Sequence, residues 1–135
     1  IYEERWHKDR FQVENAHILV VDDSAMNLKV AASMLRHYGV EIETALSGKE
    51  AIEKVSRKNY DLIFMDIMMP KMDGLEATRE IRNIGRADCN TVPIIAMSAN
   101  AFEEDVKKSI ASGMNAHLSK PLDIVNMMDV MQKYL

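Results

Sequence analysis

Residues 62–70 read Leu-Ile-Phe-Met-Asp-Ile-Met-Met-Pro, an apolar run that delivers a single carboxylate, Asp66, at its end. A carboxylate beside buried apolar residues is costly unless it has a partner or a function. Three other short apolar runs also end in polar groups, namely Asp22-Asp23, Ser98 and Ser119-Lys120-Pro121. Polar side chains therefore recur where buried strands are predicted to end.

The chain alternates between short apolar runs and helical patterns from His17 onward. Near-continuous apolar strands joined by helices are typical of a parallel sheet that is covered on both faces. We therefore predict an α/β fold, a flavodoxin-like five-stranded parallel sheet in the order 2-1-3-4-5 with helices on both faces. The predicted strands are 17–21, 40–44, 61–66, 92–97 and 115–119. A first helix is predicted between the first two strands, and the four later helices are 48–57, 75–84, 102–112 and 123–133.

Apolar spacing predicts one buried face on the first helix, for which Ser24 is the predicted N-cap. That face comprises Met26, Leu28, Val30, Ala31, Met34 and Leu35. On the helix at 102–112 the same spacing predicts an inward face of Phe102, Val106 and Ile110. Residues 85–91, which follow the third helix, are predicted to form a polar loop.

The length of 135 residues indicates one domain, which we place at 17–135 after a linker at 1–16. The net charge of −4 gives no general attraction to nucleic acid or to anionic membranes. No apolar stretch approaches the roughly 20 residues that span a bilayer. Cys89, in the predicted loop, is the only cysteine, which fits a reducing cytoplasm. Because the chain begins at Ile1 rather than Met, we expect it to be part of a longer protein.

The predicted strand order places Asp22 and Asp23 beside Asp66 at the carboxyl edge of the sheet, where ligands bind in such folds. Three adjacent carboxylates repel one another, and a hard divalent cation such as Mg²⁺ relieves that repulsion. Asp22 and Asp23 alone could instead serve only to cap the following helix. Asp66 could be a metal ligand, a turn residue before Pro70, or a nucleophile that forms an aspartyl-phosphate.

A nucleophilic carboxylate also needs donors for the oxygens of the incoming phosphoryl group. Ser98 can supply a hydroxyl and Lys120 an ammonium, each from the end of a predicted strand. Pro121 permits a cis bond to Lys120. His117, on the last strand, is by default a core or partly exposed histidine.

These segments together resemble the receiver domain of two-component response regulators, from about His17 to Leu135. The matching stretches are Ile18–Ser24, Asp66–Gly74, Pro93–Asn100 and Ser119–Pro121. The combination is very specific, although each stretch alone would be weak. The run from Ser98 to Phe102 looks most like receivers at the C-terminus of hybrid sensor histidine kinases, and a stand-alone receiver cut from a longer chain fits nearly as well.

The resemblance implies that Asp66 accepts a phosphoryl group from a phosphohistidine on a histidine kinase or a histidine phosphotransfer domain. It also implies a function for each of the other site residues. Asp22, Asp23, Asp66 and the backbone carbonyl of Met68 would hold Mg²⁺; Ser98 and Lys120 would contact the phosphoryl group; Lys120-Pro121 would be cis; Ser98 and His117 would be the switch residues; Met68 and Asn100 would flank the mouth of the site. The family usually has an aromatic residue where this chain has His117.

Two other functions compete with a phosphoacceptor domain, which assists its own phosphorylation but is not expected to turn over an external substrate. One is a phosphohydrolase that uses Asp66 as its nucleophile, although Met68 stands where such enzymes usually carry a general acid. The other is an interaction module that has lost phosphorylation, which the presence of all the acids, Ser98 and Lys120 disfavours. The receiver reading places the chain in the cytoplasm, without direct contact to nucleic acid or membrane.

Overall fold

Five parallel strands form a single sheet in the order β2-β1-β3-β4-β5, which confirms the predicted topology. The structure is a computed structural model that describes residues 15–99 and 103–135. The strands are β1 (His17–Val21), β2 (Glu41–Ala45), β3 (Leu62–Asp66), β4 (Ile94–Ser98) and β5 (Ala116–Ser119). Since β1 and β3 are neighbours although β2 lies between them in the chain, the carboxyl ends of β1 and β3 meet at one edge.

The helices of the described ranges connect these strands. They are α1 (Ala25–Arg36), α2 (Gly48–Arg57), α3 (Gly74–Arg82), α4 (Ala87–Thr91), α5 (Glu103–Ser112) and α6 (Ile124–Tyr134). Four of them begin at a side chain that accepts a backbone N–H three residues on, and the caps are Ser24, Ser47, Asp73 and Asp123. Within those ranges, no helix combines the length and the apolar character that crossing a membrane requires.

Alternate residues of each central strand enter two separate cores. In β1, Leu19 and Val21 face a core shared with α2 and α3, whereas Ile18 and Val20 face a core shared with α1 and α6. Because both faces are covered, all five residues of β3 are buried, including Asp66. The sheet therefore forces a carboxylate into apolar surroundings at its edge.

The predicted buried faces of two helices are partly wrong. Met26 and Val30 are 74% and 52% exposed, because α1 buries Leu28 and residues two positions away lie on the opposite side of a helix. On α5, Ile110 is 50% exposed and Ser109 is buried instead. The Ser109 hydroxyl donates to the Asp105 carbonyl at 2.9 Å, so it is satisfied within the helix. Phe102 lies outside the described residues.

The predicted loop at 85–91 contains a short helix, α4, and Cys89 is fully buried on it. The Arg86 guanidinium explains the order of this segment, because it donates to the carbonyls of Val55 (2.6 Å) and Ser56 (2.8 Å). It also pairs with the Asp88 carboxylate at 2.9 Å. A polar sequence was predicted to be a loop here, but its charged groups join α4 to the end of α2.

Gly74 lets the chain after β3 fold back on the end of that strand. Its N–H donates to the Ile67 carbonyl at 2.9 Å, and a Cβ at this position would lie 2.2 Å from the Asp66 carbonyl oxygen. Any side chain would therefore displace the backbone that carries Asp66.

We predict that Gly74→Ala lowers the free energy of unfolding by about 2 kcal/mol or more, since the clash is with backbone and cannot be relieved by a rotamer change. Gly48→Ala is the matched control, because a Cβ there meets side chains, Met72 at 3.0 Å and Ala77 at 3.1 Å, rather than backbone. Urea unfolding of both variants measures the difference. Equal losses in the two variants would contradict the steric argument.

Candidate functional site

Three carboxylates meet at the carboxyl edge of the sheet. Asp66 ends β3, and Asp22 and Asp23 follow β1, its neighbour. One oxygen from each of the three lies within 4.8 Å of the others. Asp22 and Asp66 are buried, whereas Asp23 is exposed. The strand order thus brings together the acids that the sequence predicted to meet.

Lys120 reaches the same cluster from the end of β5. Its Nζ lies 3.1 Å from Asp22 Oδ2 and 3.2 Å from Asp66 Oδ1. The Lys120 N–H donates to the Ser98 carbonyl at 2.7 Å, and the bond to Pro121 is cis. Burial alone would lower the pKa of Lys120, but hydrogen bonds and charges from Asp22 and Asp66 outweigh it and raise the pKa. The ammonium is therefore a fixed positive charge at neutral pH.

The carboxyl of Asp66 titrates well above its ordinary range. Burial raises the pKa of Asp66 to about 6, the Lys120 ammonium opposes that rise, and the Asp22 carboxylate adds to it. The Met68 N–H donates to Asp66 Oδ1 at 3.2 Å. Asp66 is consequently ionised at neutral pH in a setting that disfavours its charge.

Asp22 is held by contacts that sequence reasoning only partly anticipated. Its Oδ1 accepts the Ser24 N–H at 2.9 Å, so it does stabilise the start of α1, as the capping alternative proposed. Its Oδ2 accepts the Asn27 amide at 3.3 Å as well as the Lys120 ammonium. Asn27 was not predicted as a site residue; its only signal was a place in the first turn after Asp22.

Ser98 and His117 adjoin the cluster from β4 and β5. Met97 pairs with Asp66 in the sheet, which sets Ser98 one residue beyond the end of β3. Ser98 Oγ and His117 Nε2 are 2.7 Å apart. Met68 has a 75% exposed side chain after β3, whereas Asn100 lies outside the described residues.

The charge balance of this site fits a divalent cation. Lys120 supplies one positive charge against the three carboxylates of Asp22, Asp23 and Asp66. Carboxylate oxygens are the ligands that Mg²⁺ and Ca²⁺ prefer, and Mg²⁺ commonly shares its coordination shell with phosphate oxygens. The residues present are thus suited to hold a hard metal ion beside a phosphoryl group.

Comparison with known proteins gives consistent results. The family described as "Response regulator receiver domain" matches residues 18–132. A hybrid signal transduction histidine kinase from Dictyostelium discoideum is 38% identical over 121 residues, which cover 87% of this chain and 7% of that kinase. The chain spans only 15%, 7% and 17% of the lengths of three histidine kinases that it matches.

Two solved structures share the fold. The receiver domain of a sensor histidine kinase from Pseudomonas aeruginosa, with magnesium coordinated in its active site cleft, has a TM-score of 0.80 and 36% identity over 89% of this chain and 97% of that one. A Saccharomyces cerevisiae response regulator receiver domain, crystallised with its histidine phosphotransfer protein, has a TM-score of 0.83 and 27% identity. That likeness covers 90% of both chains.

We predict that Asp66→Asn stabilises the protein without divalent cations, and more so at pH 8 than at pH 4. The folded state holds the Asp66 proton up to about pH 6, whereas the unfolded chain releases it near 3.8, so ionisation opposes folding as pH rises between these values. The full effect, reached above pH 6, is up to roughly 3 kcal/mol.

Urea unfolding across this pH range, in the presence of a chelator, measures the effect. Asp61→Asn is the control, since Asp61 is an exposed carboxylate just before the same strand, and the amide oxygen of asparagine can still accept the His17 N–H that Asp61 Oδ2 accepts at 2.8 Å. If the stability difference between wild type and Asp66→Asn does not change with pH, burial does not destabilise the ionised Asp66 carboxylate, and the prediction is wrong.

Proposed function

The chain belongs to the response regulator receiver domain family, and from this we propose that Asp66 accepts a phosphoryl group from a phosphohistidine in two-component signal transduction. The observation that carries the proposal is the buried Asp66 carboxylate, 3.2 Å from the Lys120 ammonium and beside two further acids. The receiver would occupy 17–135 and the linker 1–16.

In the proposed reaction, an Asp66 carboxylate oxygen attacks the phosphorus of the phosphohistidine. An O–P bond forms while the N–P bond breaks, and the electron pair returns to the imidazole nitrogen of the partner. Asp66 suits this step because it is ionised at neutral pH and held at the open edge of the sheet. The product is an aspartyl-phosphate on this chain.

Lys120 and Ser98 would stabilise the transferred group. The Lys120 ammonium already contacts Asp66, so it would pair with a phosphoryl oxygen bonded there. The Ser98 hydroxyl, at the end of the adjacent strand, would donate to another phosphoryl oxygen. Both groups are held by the sheet before the donor arrives, and donors that are positioned in advance lower the barrier to phosphoryl transfer.

We propose that Asp22, Asp23, Asp66 and the Met68 carbonyl hold Mg²⁺, in line with the magnesium in the Pseudomonas aeruginosa receiver domain. When bound, the ion neutralises charge between the carboxylates and the phosphoryl oxygens. The two competing functions have less support. The apolar, exposed side chain of Met68 offers no general acid for a phosphohydrolase, and the complete acid cluster is unnecessary for an interaction module.

The phosphoryl donor needs a surface beside Asp66, and α1 offers one. A groove of about 370 Å³ runs from the acid cluster over α1, and it is lined by Asp22, Asn27, Val30, Met34, Lys120 and Pro121. The exposed Met26 and Val30 extend the apolar surface of the same helix. We propose that a histidine phosphotransfer domain docks here, as the Saccharomyces cerevisiae complex shows that a similar receiver domain binds such a partner.

We also propose that this receiver is a domain of a hybrid histidine kinase. The support is the match to one hybrid kinase, of which the chain spans a small part. A cytoplasmic location is part of this proposal: the parent kinase would draw on ATP, and the buried free thiol of Cys89 suits a reducing compartment.

We predict that acetyl phosphate with Mg²⁺ adds one phosphoryl group per chain, and that Asp66→Asn abolishes the addition because the nucleophile is lost. Intact-mass spectrometry, with and without a chelator, measures it. Asp61→Asn is the matched control and should be modified like wild type. Retention of the modification in Asp66→Asn would disprove the assignment, and continuous phosphate release from acetyl phosphate would favour the hydrolase.

We predict that Val30→Asp slows transfer from a phosphorylated histidine phosphotransfer protein about tenfold, the loss expected for an apolar contact residue of an interface. Phosphorylation by acetyl phosphate should not change, because Val30 lies on α1 and is not one of the residues proposed to bind the metal ion or the phosphoryl group. Ile110→Asp is the control, since Ile110 is equally exposed but lies on α5. Equal slowing in the two variants would place the docking surface elsewhere.

A further inference from the structure

The methionines of this chain divide into a buried majority and two exposed residues. All eleven lie within the described ranges, and seven of them are buried. Met34 and Met72 are half-buried, whereas Met26 and Met68 are 74% and 75% exposed. A thioether that contacts solvent is open to oxidants, whereas one inside a packed core is shielded from them. Exposure therefore directs oxidation to Met26 and Met68.

The thiol of the chain does not compete for an oxidant at this surface. Cys89 is the only cysteine, and its side chain is fully buried on α4. Burial raises the pKa of the Cys89 thiol, so little of the reactive thiolate forms at neutral pH. The thioethers of Met26 and Met68 are thus the most accessible sulfur atoms of the chain.

Both exposed methionines lie beside the acid cluster. Met26 is in the first turn of α1, three residues after Asp23, and Met68 follows Asp66 by two residues. The Met68 N–H donates to Asp66 Oδ1 at 3.2 Å, which places this residue directly at the site. Modification of either side chain consequently changes the surface that a phosphoryl donor must approach.

Met26 belongs to the surface on α1 that we propose for the partner. Met26 and Val30 are four residues apart on this helix, so they share one exposed apolar face. Conversion of the thioether to a sulfoxide adds a polar oxygen to that face. A partner that covers the face removes this oxygen from water, and burial of a polar group without a donor is unfavourable. Oxidation of Met26 is therefore expected to weaken docking.

We propose that Met26 and Met68 are sites of reversible oxidation by peroxides, and that the sulfoxide of Met26 weakens docking of the phosphohistidine partner. In the reaction, a sulfur lone pair attacks one peroxide oxygen and the O–O bond breaks. The leaving hydroxide takes the proton of the transferred hydroxyl group, which gives water and the sulfoxide. The sulfur is oxidised by two electrons and the peroxide is reduced.

Methionine sulfoxide reductases reverse this modification, so it can act as a switch rather than only as damage. The inference rests on the proposed function of Asp66 and on the proposed docking surface of α1. Its chemical half, the selectivity of oxidation, depends on neither.

The first test is limited treatment of the whole chain with hydrogen peroxide, followed by peptide mass spectrometry. A chelator excludes side reactions driven by iron. We expect oxygen to be added to Met26 and Met68 before any of the seven buried methionines. Oxidation that reaches the buried residues as early as these two would overturn the proposal.

The second test uses two variants that each keep one exposed methionine. Oxidation modifies Met26 in Met68→Leu, and it modifies Met68 in Met26→Leu, because leucine has a similar volume but no sulfur. Each variant is compared with itself before and after treatment, so its own starting rate cancels. The donors are acetyl phosphate and a phosphorylated histidine phosphotransfer protein that transfers to the untreated chain.

We expect oxidation of Met68→Leu to slow transfer from the phosphotransfer protein about fivefold, the loss for a polar group buried without a partner. Its phosphorylation by acetyl phosphate should stay the same, since this small donor does not cover α1. Methionine sulfoxide reductases should restore the rate of transfer. Oxidation of Met26→Leu should slow transfer much less.

The outcomes separate this inference from the proposed function. If oxidised Met68→Leu is phosphorylated by both donors at its untreated rates, the inference is wrong and the proposed function stands. If oxidation slows both donors equally, or slows Met26→Leu as much as Met68→Leu, the effect does not come from docking on Met26 and the inference also fails. If neither donor modifies the untreated chain, the proposed function fails, together with the docking effect that rests on it.

Discussion

The rest of the site depends on one ammonium group held between two buried carboxylates. Lys120 Nζ lies 3.1 Å from Asp22 and 3.2 Å from Asp66, and these residues come from the ends of three different strands. Without a positive charge there, two buried carboxylates would repel each other in surroundings of low dielectric constant. Lys120 therefore makes it possible for the sheet to end in a cluster of acids, and it is already in place for an anionic ligand.

Backbone geometry holds the carboxylate as firmly as charge does. Asp66 is the last residue of a fully buried strand, and Gly74 closes the following loop so tightly that a Cβ would overlap the Asp66 carbonyl oxygen. A carboxylate on such a strand has little freedom to move away from Lys120. The order of the site thus comes from the core, whereas the proposed reactivity depends on the few polar groups at the edge.

The strand order, the family and the meeting of the acids were all predictable from the sequence, because apolar runs that end in Asp66, Asp22 and Lys120 constrain a parallel sheet to few arrangements. The exposure of Val30 was not predicted. Val30 and Leu28 are both apolar, but residues two apart on a helix cannot share its buried face, and α1 buries Leu28. The burial of His117 Nδ1 without a hydrogen-bond partner among the described residues could not be predicted either, because it depends on how the ring packs between its neighbours.

The unpredicted exposure of Met26 and Val30 is related to the way in which the site must be reached. Asp66 is buried, and in the proposed function a macromolecular donor must still reach it, so apolar residues beside the site are expected to lie partly outside the core. Val30 and Met26 are exposed on α1, next to the groove that leads to Asp22 and Lys120. Their exposure reduces the stability that burial would give the isolated domain. In the proposed complex that apolar surface is covered by the partner that brings the phosphoryl group, so the exposure that is unfavourable in the free domain is relieved at the place where the transfer occurs.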